Sequence, residues 1–284
     1  EFRRVLFRSL LVTPKKSQMM TLGVDYAFSK KAKLSSEFSV TNYDINTFSS
    51  LDRADNTSMA MYLAYDHRAR ISKREENPWE VVGQASYEYI KKNFTPIEPF
   101  RKVEFNRDWN IDHLEGDRDQ QQGNLQIGAE NKKHGTASYR FSILDNGPVY
   151  KGLMNSLNAG LNTSGFHLNL DGSYLSTDQE KYDTRFIRSK ADLSKKLKWI
   201  TLGIRQESEY NTYRDAGTDS LTAASFSYNS WEAYVSNADS AENTYKVFYR
   251  QRLDKKAGMN SLIASTFARE AGASMVLKKN PANR

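Results

Sequence analysis

Four histidines, His67, His113, His134 and His167, are the side chains best suited to move a proton or hold a metal near neutral pH, and they lie far apart in the chain. None has a second histidine at a ligand spacing such as HxxxH, so each reads as an isolated strand or turn residue. No GxSxG, Walker A, GxGxxG or HExxH pattern occurs. Two acidic stretches, Asp52-Arg53-Ala54-Asp55-Asn56 and Glu115-Gly116-Asp117-Arg118-Asp119, offer oxygens of the kind calcium takes. Neither has EF-hand spacing, so both read as solvated loops. The expectation is no catalytic residue, no metal and no cofactor.

A different set of charges is placed with more regularity. Glu37, Glu80, Glu88, Glu104, Asp108, Arg140 and Asp171 alternate with apolar neighbours. In an extended chain that alternation puts them all on the wet face of a sheet. If the sheet closes, they line an interior suited to a water-filled pore, a plugged pore or a passage for polar solutes.

The elements that must position them are therefore strands. Met20, Leu22, Val24, Tyr26 and Phe28 interleave with Thr21, Gly23, Asp25 and Ala27, and the same pattern recurs around Phe38 and Leu63. Fourteen such segments are predicted: 18–28, 33–43, 57–68, 79–90, 102–111, 124–130, 136–144, 152–161, 166–176, 184–193, 199–209, 225–236, 244–253 and 260–268. Most run about 9–12 residues, where an average soluble strand has about 5–6 and a tilted membrane-crossing strand about 9–11. All six prolines fall between segments, where they remove no ladder hydrogen bond.

Short connections suit hairpins at 29–32, 131–135, 162–165, 194–197 and 254–258. They follow the first, sixth, eighth, tenth and thirteenth segments, a mixture of odd and even. This segmentation therefore does not yield short turns on one side and long loops on the other.

Composition sets the remaining bounds. Hydrophobic residues are 38% of 284, and the 15 glycines bring this to about 43%. Globular domains usually have about 45–50%, so a sheet apolar on one face only fits better than a thick two-sided core. No run of about 18 apolar residues exists, which excludes a membrane-crossing helix from this stretch. Cysteine is absent, which rules out disulfides and thiolate metal sites.

Residues 1–9 (EFRRVLFRS) read as translated sequencing-library adaptor and are set aside. Residues 10–284 are expected to form a single barrel domain cut short at both ends. The formal charge of +7 falls to +5 once Glu1, Arg3, Arg4 and Arg8 are removed. The excess base sits in apparent turns rather than on one aromatic-rich face, so no nucleic-acid partner is expected.

Tyr26, Phe28, Tyr65, Trp79, Trp109, Trp199 and Trp231 lie mostly toward segment ends, where amphipathic rings would mark the two lipid–water boundaries. Energetics forbid a lone hairpin in hydrocarbon. Outward side chains of one strand return on the order of 10 kcal/mol at most. Every unpaired backbone group left in lipid costs several kcal/mol, so the sheet must close on itself.

In strand length, lysine-capped hairpins, Tyr/Asn/Ser-rich strands and the stretch RKVEFNRDWN, the chain resembles large outer-membrane β-barrel proteins of the Bacteroidota type. The resemblance implies the outer membrane of a Gram-negative cell, contact with its lipid, insertion by the barrel-assembly machinery and room for a larger complex. It carries over no catalytic or binding residue. The expected fold is an all-β, antiparallel up-and-down transmembrane barrel or an arc of one. Its expected role is a non-catalytic pore, transporter or scaffold. The alternatives are a surface-exposed all-β adhesion or carbohydrate-binding module, and a barrel-borne hydrolase working through rim residues such as His67 or His113.

Overall fold

The computed structural model describes residues 13–49, 51, 53–72, 76–111, 114, 118–237 and 243–277. They form thirteen strands: β1 (Lys16–Ser29), β2 (Ala32–Asp44), β3 (Thr57–Arg70), β4 (Glu80–Ile90), β5 (Gln120–Asn131), β6 (Gly135–Asp145) and β7 (Tyr150–Thr163). The series continues with β8 (Phe166–Gln179), β9 (Tyr182–Lys196), β10 (Ile200–Asp215), β11 (Phe226–Asn237), β12 (Thr244–Ala257) and β13 (Leu262–Val276). One short helix, α1 (Phe105–Asp108), lies between β4 and β5.

The strands make a single antiparallel sheet in sequence order, each hydrogen-bonded to the next. This is the up-and-down topology the alternation predicts. The sheet is not closed: β1 pairs with β2 alone and β13 with β12 alone. Successive strands are staggered. A row of register partners starting at Tyr26, near the end of β1, reaches Ser227, near the start of β11, at the opposite end of the sheet. Strand tilt of this kind is what a closing sheet requires.

The strand expected over 102–111 does not exist. Phe105, Arg107, Trp109 and Ile111 alternate as a strand would, but Phe105 and Trp109 are also four residues apart and so share a helical face. The helix wins: Asp108 N–H donates to Glu104 O at 2.7 Å and Trp109 N–H to Phe105 O at 3.1 Å, while Asn110 at φ 53° ends the turn.

Removing this false segment repairs the loop pattern. Four of the five predicted hairpins now follow β1, β5, β7 and β9, at one end of the sheet. The three longest connections, 45–56, 91–119 and 216–225, all follow even-numbered strands and leave from the other end. The β7–β8 hairpin turns on Ser164 and Gly165, both with positive φ (46° and 78°) as a tight primed turn demands.

Side-chain phase is kept across the ladder. One face carries rows such as Leu22, Phe38 and Met61, joined in register and exposed. The other carries Thr21, Ser39 and Ala60 at the neighbouring register positions. On this polar face two rings lie over glycines of the next strand: Tyr234 over its register partner Gly203, and Phe248 over Gly272. A Cβ at either glycine would overlap the ring. Gly203→Ala should therefore cost roughly 1–3 kcal/mol through overpacking. Gly123→Ala, where a Cβ meets nothing within 4 Å, should leave stability unchanged, as urea unfolding of the two variants would show.

Candidate functional site

The strand phases place five of the seven sequence-predicted charges on the polar face: Glu37, Glu80, Glu88, Arg140 and Asp171. Register and side-chain bonding agree. Glu37 lies opposite Tyr62, and Glu80 pairs with Arg68, which also meets Glu130 at 3.1 Å. Arg140 donates to Gln126 at 2.8 Å across β5–β6. Asp171 lies in register with Asn158 and Lys190. Glu104 and Asp108 are not strand residues; they belong to the 91–119 insert, which folds back over the same face.

That insert is the site. Its two ends are stapled together where it leaves and rejoins the sheet. Asp119 accepts the Lys92 N–H at 2.9 Å and the Tyr89 hydroxyl at 2.8 Å, while Ser58 Oγ donates to Lys92 O at 2.6 Å. The Lys92 N–H first, and the Tyr89 hydroxyl second, hold the Asp119 carboxyl below the usual carboxylate range. Because its value is depressed in the fold, Asp119 supports the staple at every pH above that range. The support goes only as pH falls through the lowered value.

From the staple the insert crosses the polar face. Phe94, Ile97 and Phe100 lie over β1–β4, enclosing with Met19, Ala60 and Tyr62 a cleft of about 330 Å³. Arg101 forms a close ion pair with Glu88, donates to Gln122 at 3.0 Å and to Gln120, and stacks its guanidinium 4.2 Å from the Phe105 ring centroid. Arg107 then reaches Glu209 on β10 at 2.6 Å, and Asp108 meets Arg188 on β9 at 2.5 Å. Beside α1 a polar cleft of about 550 Å³ is left open, with Lys102, Arg140, Asp171 and Lys190 among its walls.

The far end is buried. Trp109, 4% exposed, packs with Leu144, Tyr150, Met154, Leu175 and Phe186, and Tyr150 donates its hydroxyl to Trp109 O at 2.6 Å. Gly152 makes this possible, since a Cβ there would press on Tyr150 and Trp109. Asn110 exchanges amide hydrogen bonds with Asn211, each 3.0 Å, and donates to Thr184 at 3.0 Å. Apart from Ala64, every buried hydrophobic among the described residues belongs to this one cluster.

Trp109 is thus a core residue and not a boundary aromatic, because the segment carrying it is a helix seated on the polar face. The other predicted aromatics stay outside the cluster. Tyr26 and Phe28 are exposed on β1, edge to face at 4.8 Å, and Tyr65 is exposed on β3. Trp79 stacks on His134 beside the start of β4, and Trp199 is exposed just before β10. Trp231 projects from the middle of β11 rather than from its end.

Sequence reasoning missed Leu144, Tyr150, Met154, Leu175 and Phe186. A signal was present: they are apolar residues in the polar phase of their strands. Met154, Leu175 and Phe186 fall in one register row, continued by Asn211. His67 shares a weak 3.3 Å contact with Tyr65 on the apolar face, and His113 lies outside the described residues, as do Asp52, Glu115, Gly116 and Asp117. No group of three or more His, Asp or Glu among the described residues could hold a metal ion.

Trp109→Ala should cost about 3–5 kcal/mol of insert docking. Hydrogen exchange of the 105–111 amides would then quicken by at least a hundredfold while β1–β3 stay protected. Asp119→Ala should leave α1 seated and instead speed tryptic cleavage at Lys91 and Lys92.

No family model, curated protein or solved structure matches this chain.

Proposed function

We propose that this chain is an arc of a transmembrane β-barrel of a bacterial outer membrane, working as a non-catalytic pore, transporter or scaffold. In this reading the apolar face meets lipid and the polar face turns inward, where the 91–119 insert narrows the interior. The single observation that supports it most is an inversion of the usual polarity. Large hydrophobics stand exposed on every strand from β1 to β13, among them Met20 at 74% and Leu22 at 63%, whereas the buried apolar cluster lies on the hydrophilic side.

Water would penalise such a face. A soluble chain seldom leaves more than a few hundred Å² of contiguous apolar surface uncovered. Lipid removes that penalty and demands in return that every backbone group within it be paired, which a continuous antiparallel ladder provides. Strands of 11–16 residues have the length to cross while tilted. Insertion would then fall to the barrel-assembly machinery, with further strands completing the circle.

The interior surface supports passage or plugging rather than catalysis. Its acids and bases are largely matched, as in Glu232, which meets Lys246 and Arg250 at 2.5 Å each and Arg205 at 3.8 Å. Carboxylates and guanidinium groups neutralised in this way make a fixed polar lining. They do not present the unpaired nucleophile or base that hydrolysis requires.

The full-length protein, expressed with its own export signal, should pellet with outer membranes, resist carbonate extraction and migrate faster on a gel when unheated. Release by carbonate as a monodisperse species in detergent-free buffer would instead favour the adhesion module. In planar bilayers, measurable conductance that rises when Asn110→Ala loosens the insert would mark a passage. An electrically silent barrel would mark a scaffold.

A further inference from the structure

At the end of the sheet where the short hairpins lie, a cleft of about 390 Å³ is bounded by the β5–β6 turn, the β7–β8 turn and the facing ends of β9 and β10. It lies well inside the sheet: β1–β4 separate it from one edge and β11–β13 from the other. Bonds between successive hairpins fix its walls. Asn162 N–H donates to His134 O at 2.8 Å, joining the first turn to the second, and Lys196 N–H donates to Gly165 O at 2.7 Å, joining the second to β9. Within the first turn, Asn131 Oδ1 accepts the Lys133 and His134 N–H groups, each at 2.9 Å, which sets the course of the chain at Lys133. Both ring nitrogens of His167 are taken, by Asn162 Oδ1 at 2.5 Å and Asn169 Nδ2 at 2.8 Å, so this side chain braces the wall.

Two features set this cleft apart from the rest of the polar face. The first is charge. Elsewhere on that face bases meet acids, as Arg188 meets Asp108, Arg205 meets Asp192 and Arg250 meets Glu232. No Asp or Glu lines this cleft, yet Lys133 and Lys196 do, and neither has an ion pair among the described residues. Lys195 is differently placed: its ammonium donates to Ser164 O at 2.6 Å and lies 3.8 Å from the Phe166 ring centroid. The second feature is Thr201, another wall residue. It is 7% exposed, and its Oγ1 has no hydrogen-bond partner. A buried hydroxyl without a partner costs free energy that a bound acceptor would return.

We infer that this cleft binds a phosphate monoester group, with the Lys133 and Lys196 ammonium groups neutralising it and the Thr201 hydroxyl donating to one of its oxygens. Charge selects the ligand. Two unmatched ammonium groups call for about two negative charges, and a phosphate monoester carries roughly −1.5 to −2 near neutral pH, where a carboxylate supplies a single charge. Size agrees, since small-molecule sites occupy about 300–1,000 Å³ and the cleft leaves room for the group that bears the phosphate. Ser194, Lys196 and Thr201 share the polar phase of β9 and β10, so a soluble ester reaches the cleft more directly than a lipid headgroup does. The inference goes beyond the membrane reading and stands on the cleft alone: it holds equally for a sheet that meets no lipid.

The test is titration calorimetry of the full-length protein, in detergent or in plain buffer as it requires, with glycerol 3-phosphate, short-chain phosphatidic acid and acetate as probes. Glycerol 3-phosphate should bind at least about tenfold more tightly than acetate, because its charge-assisted hydrogen bonds engage both lysines. Lys133→Gln and Lys196→Gln should each weaken it about tenfold or more, and Thr201→Val about fivefold. Thr201 Oγ1 has no partner to lose, so the valine leaves no other polar group unpaired. Lys132→Gln, in the same turn but outside the cleft, should leave the affinity unchanged, and circular dichroism should show the strands intact in all four variants. Saturable binding of phosphatidic acid without glycerol 3-phosphate would uphold the phosphate site and assign its source to a lipid headgroup. Binding of neither phosphate, acetate bound as tightly, or equal losses in Lys132→Gln and Lys196→Gln would each overturn the inference.

Discussion

Backbone pairing is the constraint on which this structure depends. Each of the eleven inner strands gives its N–H and C=O groups to two neighbours, and twelve consecutive antiparallel ladders leave only the outer edges of β1 and β13 without a partner strand. Once the ladder is set, side chains have no freedom to choose a face, because the period of two assigns each one. A slip of one residue between β1 and β2 would carry Leu22, now level with Phe38, to the face of Ser39 and Glu37. Polarity and register are therefore one decision, made anew at every ladder and consistent across all of them.

The same constraint explains why the packed core found among the described residues forms where it does. A one-layer sheet has no second layer to bury its apolar face against, so burial must come from an added piece. The long β4–β5 connection supplies it on the polar side. To receive it, the sheet breaks its own pattern in one patch: Leu144, Met154, Leu175 and Phe186 replace the hydroxyls and amides that occupy those phases elsewhere. Asn110 and Asn211 then close the patch with a reciprocal amide pair, and Asn110 gives its second amide hydrogen to Thr184. The site is thus written jointly by a loop and by four strands that are otherwise unremarkable in composition.

How much of this was legible follows from which signals are local. Strand existence and phase are local, and thirteen of the fourteen predicted segments coincide with strands, usually extended by a few residues at the ends. The exception, 102–111, fails for a physical reason: Phe105 and Trp109 satisfy period two and a helical spacing at once, and only partners distant in sequence, Leu175 and Phe186 among them, decide between the two. The docking residues are non-local in the same sense. Leu175 amid Ser173 and Thr177 reads as an irregularity until β6, β7 and β9 are laid beside β8 and show matching irregularities. The ion pairs Arg107–Glu209 and Asp108–Arg188 span 102 and 80 residues, and no spacing within the chain announces them.

What holds the insert in place can be ranked by magnitude. Its ionic contacts are only partly shielded: the Arg107 side chain is 47% exposed, and Asp108 and Arg188 are 29% and 24% exposed. Pairs so placed contribute up to about 1 kcal/mol each and weaken as salt is added. Trp109 is different. Removing a fully packed aromatic side chain costs about 3–5 kcal/mol, and the neutral hydrogen bonds of Asn110 and Tyr150 add roughly 1 kcal/mol each, all beyond the reach of counterions. Packing therefore anchors the insert, while the charges orient it. The segment should stay seated at ionic strengths that abolish its ion pairs. Lifting the insert off the polar face would then require drawing one tryptophan out of a five-residue pocket, which salt alone cannot do.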